Sequence, residues 1–161
     1  MNRLLLVGVF LASVSVAAYC QTCTGSTALK SHIYHPDRLT EAKGCITVSG
    51  KIIWKKPQAD GDIHYRLKLD PGQGSGLINA KNRSGQHGAL VFEPVCVSKI
   101  KKKKNGQPNR PALAACRHFR QNITIPNKHD RVEVTGIHVL DGEHGWLEIH
   151  PITKIKVLPP R

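Results

Sequence analysis

The stretch "EHGWLEIHP" (143–151) places His144, Trp146, Glu148 and His150 at every second position, with Gly145, Leu147 and Ile149 between them. A strand repeats every two residues, so an extended segment would put these four side chains on one face. Imidazoles and carboxylates are donors for zinc and common carriers of acid and base chemistry. A second set with the same spacing, Asp62, His64 and Arg66, lies in "GDIHYRLKLD" opposite Ile63, Tyr65, Leu67 and Leu69. The candidate cluster is therefore Asp62, His64, Arg66, His144, Trp146, Glu148 and His150. Within it, His64, His144, Glu148 and His150 are the expected ligands of a metal, zinc or calcium, with Asp62 orienting an imidazole. The competing reading is the wet side of a sheet, because strands alternate polar residues outward without any chemistry. The chain also has 9 histidines, enough for chance alternation. The alternation predicts that Ile63, Tyr65, Leu67 and Leu69 are buried while Asp62, His64, Arg66 and Lys68 face solvent.

The elements that must position these residues have a period of two wherever a period is clear, so the chain reads as all-β. "CITVSGKIIW" (45–54) is a strand broken by Gly50, "GDIHYRLKLD" (61–70) a second and "GALVFEPVCV" (88–97) a third. "RVEVTGIHVLD" (131–141) is a fourth, and "GWLEIHPITKIKVL" (145–158) a fifth with Pro151 marking a bulge or bend. Pro57 and Asp60-Gly61 predict a looped hairpin between the first two strands. One helix is expected, opening at Pro111 in "PALAACRHFRQN" between the third and fourth strands. Three strands, a helix and two strands is the order of the five-stranded Greek-key barrel that binds oligonucleotides and oligosaccharides, the OB fold. A sandwich, which usually needs about seven strands, fits the count less well. In an OB barrel the second and fifth strands are not direct neighbours, so the two polar sets meet only across the barrel end or around a short third strand.

Asn2 and Arg3 precede a short apolar run ending in small residues, the pattern of a secretory signal over residues 1–20. Residues 21–44 read as an N-terminal extension and 45–161 as the barrel domain. Beyond the leader no apolar run reaches the length a membrane helix needs. The expected product is a secreted monomer, extracellular or periplasmic. Without Cys20 the cysteines are Cys23, Cys45, Cys96 and Cys116, which allow three disulfide connectivities. Cys23 with Cys45 and Cys96 with Cys116 each close a short excursion and are the expected pairs. The formal charge is +13, and its densest block is a basic loop at 98–110. Lys99, Lys101, Lys102, Lys103, Lys104 and Arg110 make that loop a candidate contact for nucleic acid or anionic polysaccharide. "NRS" at Asn82 and "NIT" at Asn122 fit the N-glycosylation acceptor pattern, which occurs often by chance.

"HPDRL" (35–39), "CITVSG" (45–50) and "DGDIHYRLKLD" (60–70), followed by "GALVFEPVC", "VEVTGIHVLD" and "HGWLEIHP", resemble a family of small exported, mostly bacterial proteins. The resemblance implies an OB-like barrel and no particular activity; the lysine block at 101–104 is an embellishment of this chain. Staphylococcal-type nucleases are also OB barrels, and Arg66, Asp62 and Asp70 resemble their arginine and acidic residues in type alone. The leading expectation is an exported OB-fold binding module contacting polyanions through the basic loop. The alternative is a metal-binding protein or metal-dependent hydrolase built on the His/Glu/Asp cluster. Aromatic residues available for stacking reduce to Trp54 and Trp146 once Tyr65 and Phe92 are assigned to the core.

Overall fold

The computed structural model describes residues 23–73 and 75–160; the expected leader at 1–20 lies outside the described residues. Five strands form one sheet: β1 (Leu39–Pro57), β2 (Ile63–Leu69), β3 (Leu90–Phe92), β4 (Arg131–Asp141) and β5 (Leu147–Leu158). The sheet closes on itself in the order β1-β2-β3-β5-β4, with β1 pairing β4 along one stretch and β2 along the next. All pairs are antiparallel except β3 with β5. Short helices α1 (Ser26–Leu29), α2 (Ala80–Gly85) and α3 (Arg110–Ala115) decorate it. Among the described residues, no helix is long and apolar enough to cross a membrane.

The alternation in β2 points Ile63, Tyr65 and Leu67 inward, where they pack with Ile52, Leu90, Phe92, Val134, Ile149 and Ile152. Tyr65 and Phe92 stack with ring centroids 4.5 Å apart. Leu69, at the end of the strand, is only half-buried. The helix expected between the third and fourth strands is α3. The polar, glycine-rich stretch before β3 holds a further one, α2, whose N-terminus is closed by reciprocal hydrogen bonds between Asn79 and Asn82. The expected third strand shrinks from ten residues to three, because the chain after Phe92 leaves the sheet to cross its outer face.

A second apolar cluster lies outside the barrel, where Ile33, Val95 and Cys96 pack with Leu29, Leu39, Cys116 and Phe119. It fastens the segment before β1 and the segment after β3 onto the sheet. Both expected disulfides form, Cys23–Cys45 and Cys96–Cys116, tying the two segments down. β1 begins at Leu39, inside the region expected to be an extension. This outer layer overturns one expectation: Asp62 and His64 point away from the core, yet they are only 2% and 7% exposed. Covering falls off along β2, so Arg66 is half-buried and Lys68 exposed.

Pro151 does mark a bulge. Gly136 pairs with Ile152 and His138 with Ile149, so β5 carries one residue more than β4 between those pairs. The extra residue lets Ile149 and Ile152 both enter the core while His150 turns outward to the face that carries Glu148. Gly136 permits the close approach, since a Cβ there would meet Ile149 Cγ2 and the Pro151 carbonyl at 2.5 Å each.

Candidate functional site

The two polar sets converge around the end of β3. That strand is long enough to pair Tyr65 with Phe92 on one side and Phe92 with Ile149 on the other, and then it stops. The next residue, Glu93, fills the space between β2 and β5. Its Oε1 accepts from His64 Nδ1 at 2.7 Å, and its Oε2 lies 3.6 Å from His150 Nδ1. His150 Nδ1 also donates to Glu148 Oε1 at 3.1 Å, and Glu148 Oε2 accepts from Trp146 Nε1 at 2.8 Å. On the far side of His150, Asp62 Oδ2 lies 3.6 Å from Nε2, while Asp62 Oδ1 accepts the Cys96 N–H at 2.7 Å. The alternating residues of β5 are thus neither solvated nor a single ligand set, but a chain from the Trp146 indole through Glu148 to His150.

Above this buried layer opens a cleft of about 240 Å³, lined by Arg38, Trp54, His64, Arg66, Glu93 and Trp146 among others. The chain's two tryptophans both line it. His64 stands edge-on between them, 5.4 Å from the Trp54 ring and 5.8 Å from the Trp146 ring. The Arg66 guanidinium sits 4.5 Å over the Trp54 ring and donates from Nε to Gln86 Oε1 at 2.6 Å. Cation–π packing of this kind orients the guanidinium while leaving donors for a ligand. The cleft lies between the β1–β2 loop, which brings Gln58 and Asp60, and the β4–β5 loop, which brings His144.

His144 is not part of the buried layer. Its side chain is 41% exposed, its Nδ1 bonds Asp141 Oδ2 at 2.8 Å, and its ring stacks on Trp146 at 4.4 Å. Asp141 also faces Arg38 Nε at 3.3 Å. The expected four-ligand set of His64, His144, Glu148 and His150 is therefore split. His150 is at the centre, His64 and Glu148 contact it or its neighbour, and His144 stands at the rim. The nuclease-like set is split as well: Asp70 sits at the far end of β2, bonded to Arg131 Nη2 at 2.6 Å and Ser49 Oγ at 2.5 Å.

The electrostatics of the layer follow from burial and proximity. Burial pushes the Asp62 carboxyl up to about 8, with the Asp60 and Glu93 carboxylates adding to the rise and His150 and the Cys96 N–H opposing it. Burial would also raise Glu93, but the hydrogen bond from His64 and the positive charges of His150, His64 and Arg38 bring it down to about 2. His150 would be lowered by burial; Glu148, Glu93 and Asp62 instead hold it up at about 9. Arg38 is likewise raised, since Asp141, Glu148, Glu93 and Glu143 outweigh its burial.

Lys99, Lys101, Lys102, Lys103, Lys104 and Arg110 are all exposed. Their loop is moored to the cleft rim: the Lys101 N–H donates to the Ala59 carbonyl at 2.9 Å, and the Val97 and Ser98 N–H groups donate to the Gly61 carbonyl. Gly61 has φ +106°, a backbone conformation that suits glycine. Glu93, Arg38, Gln86 and Asp141 belong to the site although none of them is among the residues expected there. Glu93 had a local signal, a carboxylate inside the apolar run "ALVFEPVCV"; the others had none. No family model and no curated protein matches the sequence.

Proposed function

We propose that the protein is an exported OB-type binding module that takes an anionic ligand carrying planar rings, a segment of single-stranded nucleic acid, in the cleft between the β1–β2 and β4–β5 loops. The OB assignment is supported by the strand order, the parallel β3–β5 pair and the helix between β3 and β4. Export is supported by the leader pattern and by two disulfides, which persist in oxidising compartments. The observation that carries the reading is the cleft itself, where two indoles and two guanidiniums face one space beside a rim that anchors the lysine loop. Stacking supplies about 1 to 3 kcal/mol per base, and the basic groove tracks phosphates. The position of the cleft between the β1–β2 and β4–β5 loops supports this reading, since loops L12 and L45 flank the usual OB ligand face.

Titration of tryptophan fluorescence with oligo(dT) and with heparin tests it, because Trp54 and Trp146 are the only indoles. Oligo(dT) is expected to quench the emission and heparin, which lacks rings, to bind without comparable quenching. Replacing Lys101, Lys102, Lys103 and Lys104 by Ser should flatten the salt dependence by up to about 3 logarithmic units per decade of salt, at roughly 0.7 per phosphate contact. Binding of both polymers with no change in emission would place the contact on the loop alone and refute the cleft reading.

A further inference from the structure

We propose that Asp62, Glu93 and His150 bind one divalent transition-metal ion of the zinc class beneath the floor of the cleft. One donor atom from each of the three lies within 4.8 Å of the other two, and all three residues are buried. The telling atoms are Asp62 Oδ2 and His150 Nε2, which have no hydrogen-bond partner among the described residues although their residues are 2% and 1% exposed. Buried polar atoms normally make hydrogen bonds, so two that face each other across an ion-pair distance without a hydrogen bond point to a group between them. Their separation is 3.6 Å. That is too long for a hydrogen bond, and it is close to the roughly 3.3 Å that separates two ligands of a tetrahedral ion with bonds of about 2.0 Å.

The other atoms of both residues are already committed in the way a metal site requires. Asp62 Oδ1 is held by the Cys96 N–H. His150 Nδ1 donates to Glu148 Oε1, so Nε2, which faces Asp62, is the atom that would bind the ion, releasing its proton as it does so. A carboxylate behind the ligating imidazole is the usual orienting partner. Glu93 is held the same way by His64 Nδ1 and also lines the cleft, so the fourth position opens toward it. Two carboxylates and one imidazole suit a zinc-class ion, whereas calcium takes six to eight oxygens. His64 and Glu148 become positioning residues and His144 has no part in the site. This site does not depend on the nucleic-acid reading of the cleft.

The purified, chelator-stripped protein titrated with zinc alone by calorimetry tests it, alongside Asp62→Asn, His150→Gln and His144→Ala. The expected result is one ion per chain, affinity lowered at least 100-fold in D62N and H150Q, and affinity unchanged in H144A. Should a variant fail to fold, zinc-edge X-ray absorption of the loaded wild-type protein reads the site directly, with one imidazole and oxygen donors at about 2.0 Å. Two or more imidazoles in the shell, unchanged affinity in folded D62N, or no zinc bound by the wild type would each overturn the proposal.

Discussion

Asn82 gives the most demanding test of how the cleft is held. Its side chain is fully buried and makes four hydrogen bonds. Nδ2 donates to the Ala89 carbonyl at 3.0 Å and the Leu147 carbonyl at 2.8 Å; Oδ1 accepts from Leu147 N–H at 2.8 Å and Asn79 N–H at 3.1 Å. One amide thus ties α2 to the entry of β3 and to the first residue of β5, next to Trp146. Asn82→Ala removes the partner of two carbonyls and of two N–H groups, those of Leu147 and Asn79, in a site without room for full hydration, at about 1 to 3 kcal/mol for each group left unsatisfied. Allowing for partial rescue by water, we expect a loss of about 3 to 5 kcal/mol. Asn82→Asp keeps the shape but turns both donors into acceptors facing carbonyls, so at neutral pH it should be at least as damaging. The carbonyls raise the aspartate's folded-state pKa, so the folded state binds the extra proton more tightly and stability should partly return as pH falls below that value. Urea denaturation with the disulfides oxidised, followed by tryptophan emission, measures both variants. A loss below about 1 kcal/mol in N82A, or no acid recovery in N82D, would refute this account of the hub. The same burial means that Asn82, despite its acceptor pattern, should carry no glycan when the protein is secreted from a eukaryotic host.

Gly136→Ala should cost about 2 kcal/mol or more, because the new Cβ has no space against Ile149 and the Pro151 carbonyl; a urea midpoint equal to wild type would show that the β5 bulge relaxes freely. His138 is fully buried, donates to the Leu77 carbonyl at 3.1 Å, and has its pKa lowered by burial and by the Lys43 charge. The unfolded chain therefore binds a proton that the folded state refuses. The stability contributed is complete above about pH 6.5 and falls as pH drops toward the lowered folded value, by at most about 1.4 kcal/mol per pH unit. The urea midpoint should fall further between pH 7.5 and 5.5 in the wild type than in His138→Gln; identical slopes would exclude the effect.

Features that depend on neighbours along the chain are legible in the residues alone. The period of two in β2 and β4, the bend at Pro151, the helix opening at Pro111 and the short excursions closed by Cys23–Cys45 and Cys96–Cys116 are all local patterns, and β4 runs from Arg131 to Asp141 as its alternation requires. Local patterns also placed Asp62, His64, Glu148 and His150 on the outward faces of their strands. They did not reveal whether those faces are wet. That depends on residues 93–98 and the segment before β1, which are distant in sequence and are brought over the sheet by a second apolar cluster and two disulfides. The same cover turned a run of exposed polar residues into a buried charge network, introduced Glu93 and Arg38 to it, and left His144 outside. Periodicity specifies which way a side chain points relative to its own strand, whereas desolvation and donor convergence depend on what packs on top, and only the tertiary fold brings those atoms within a few ångströms.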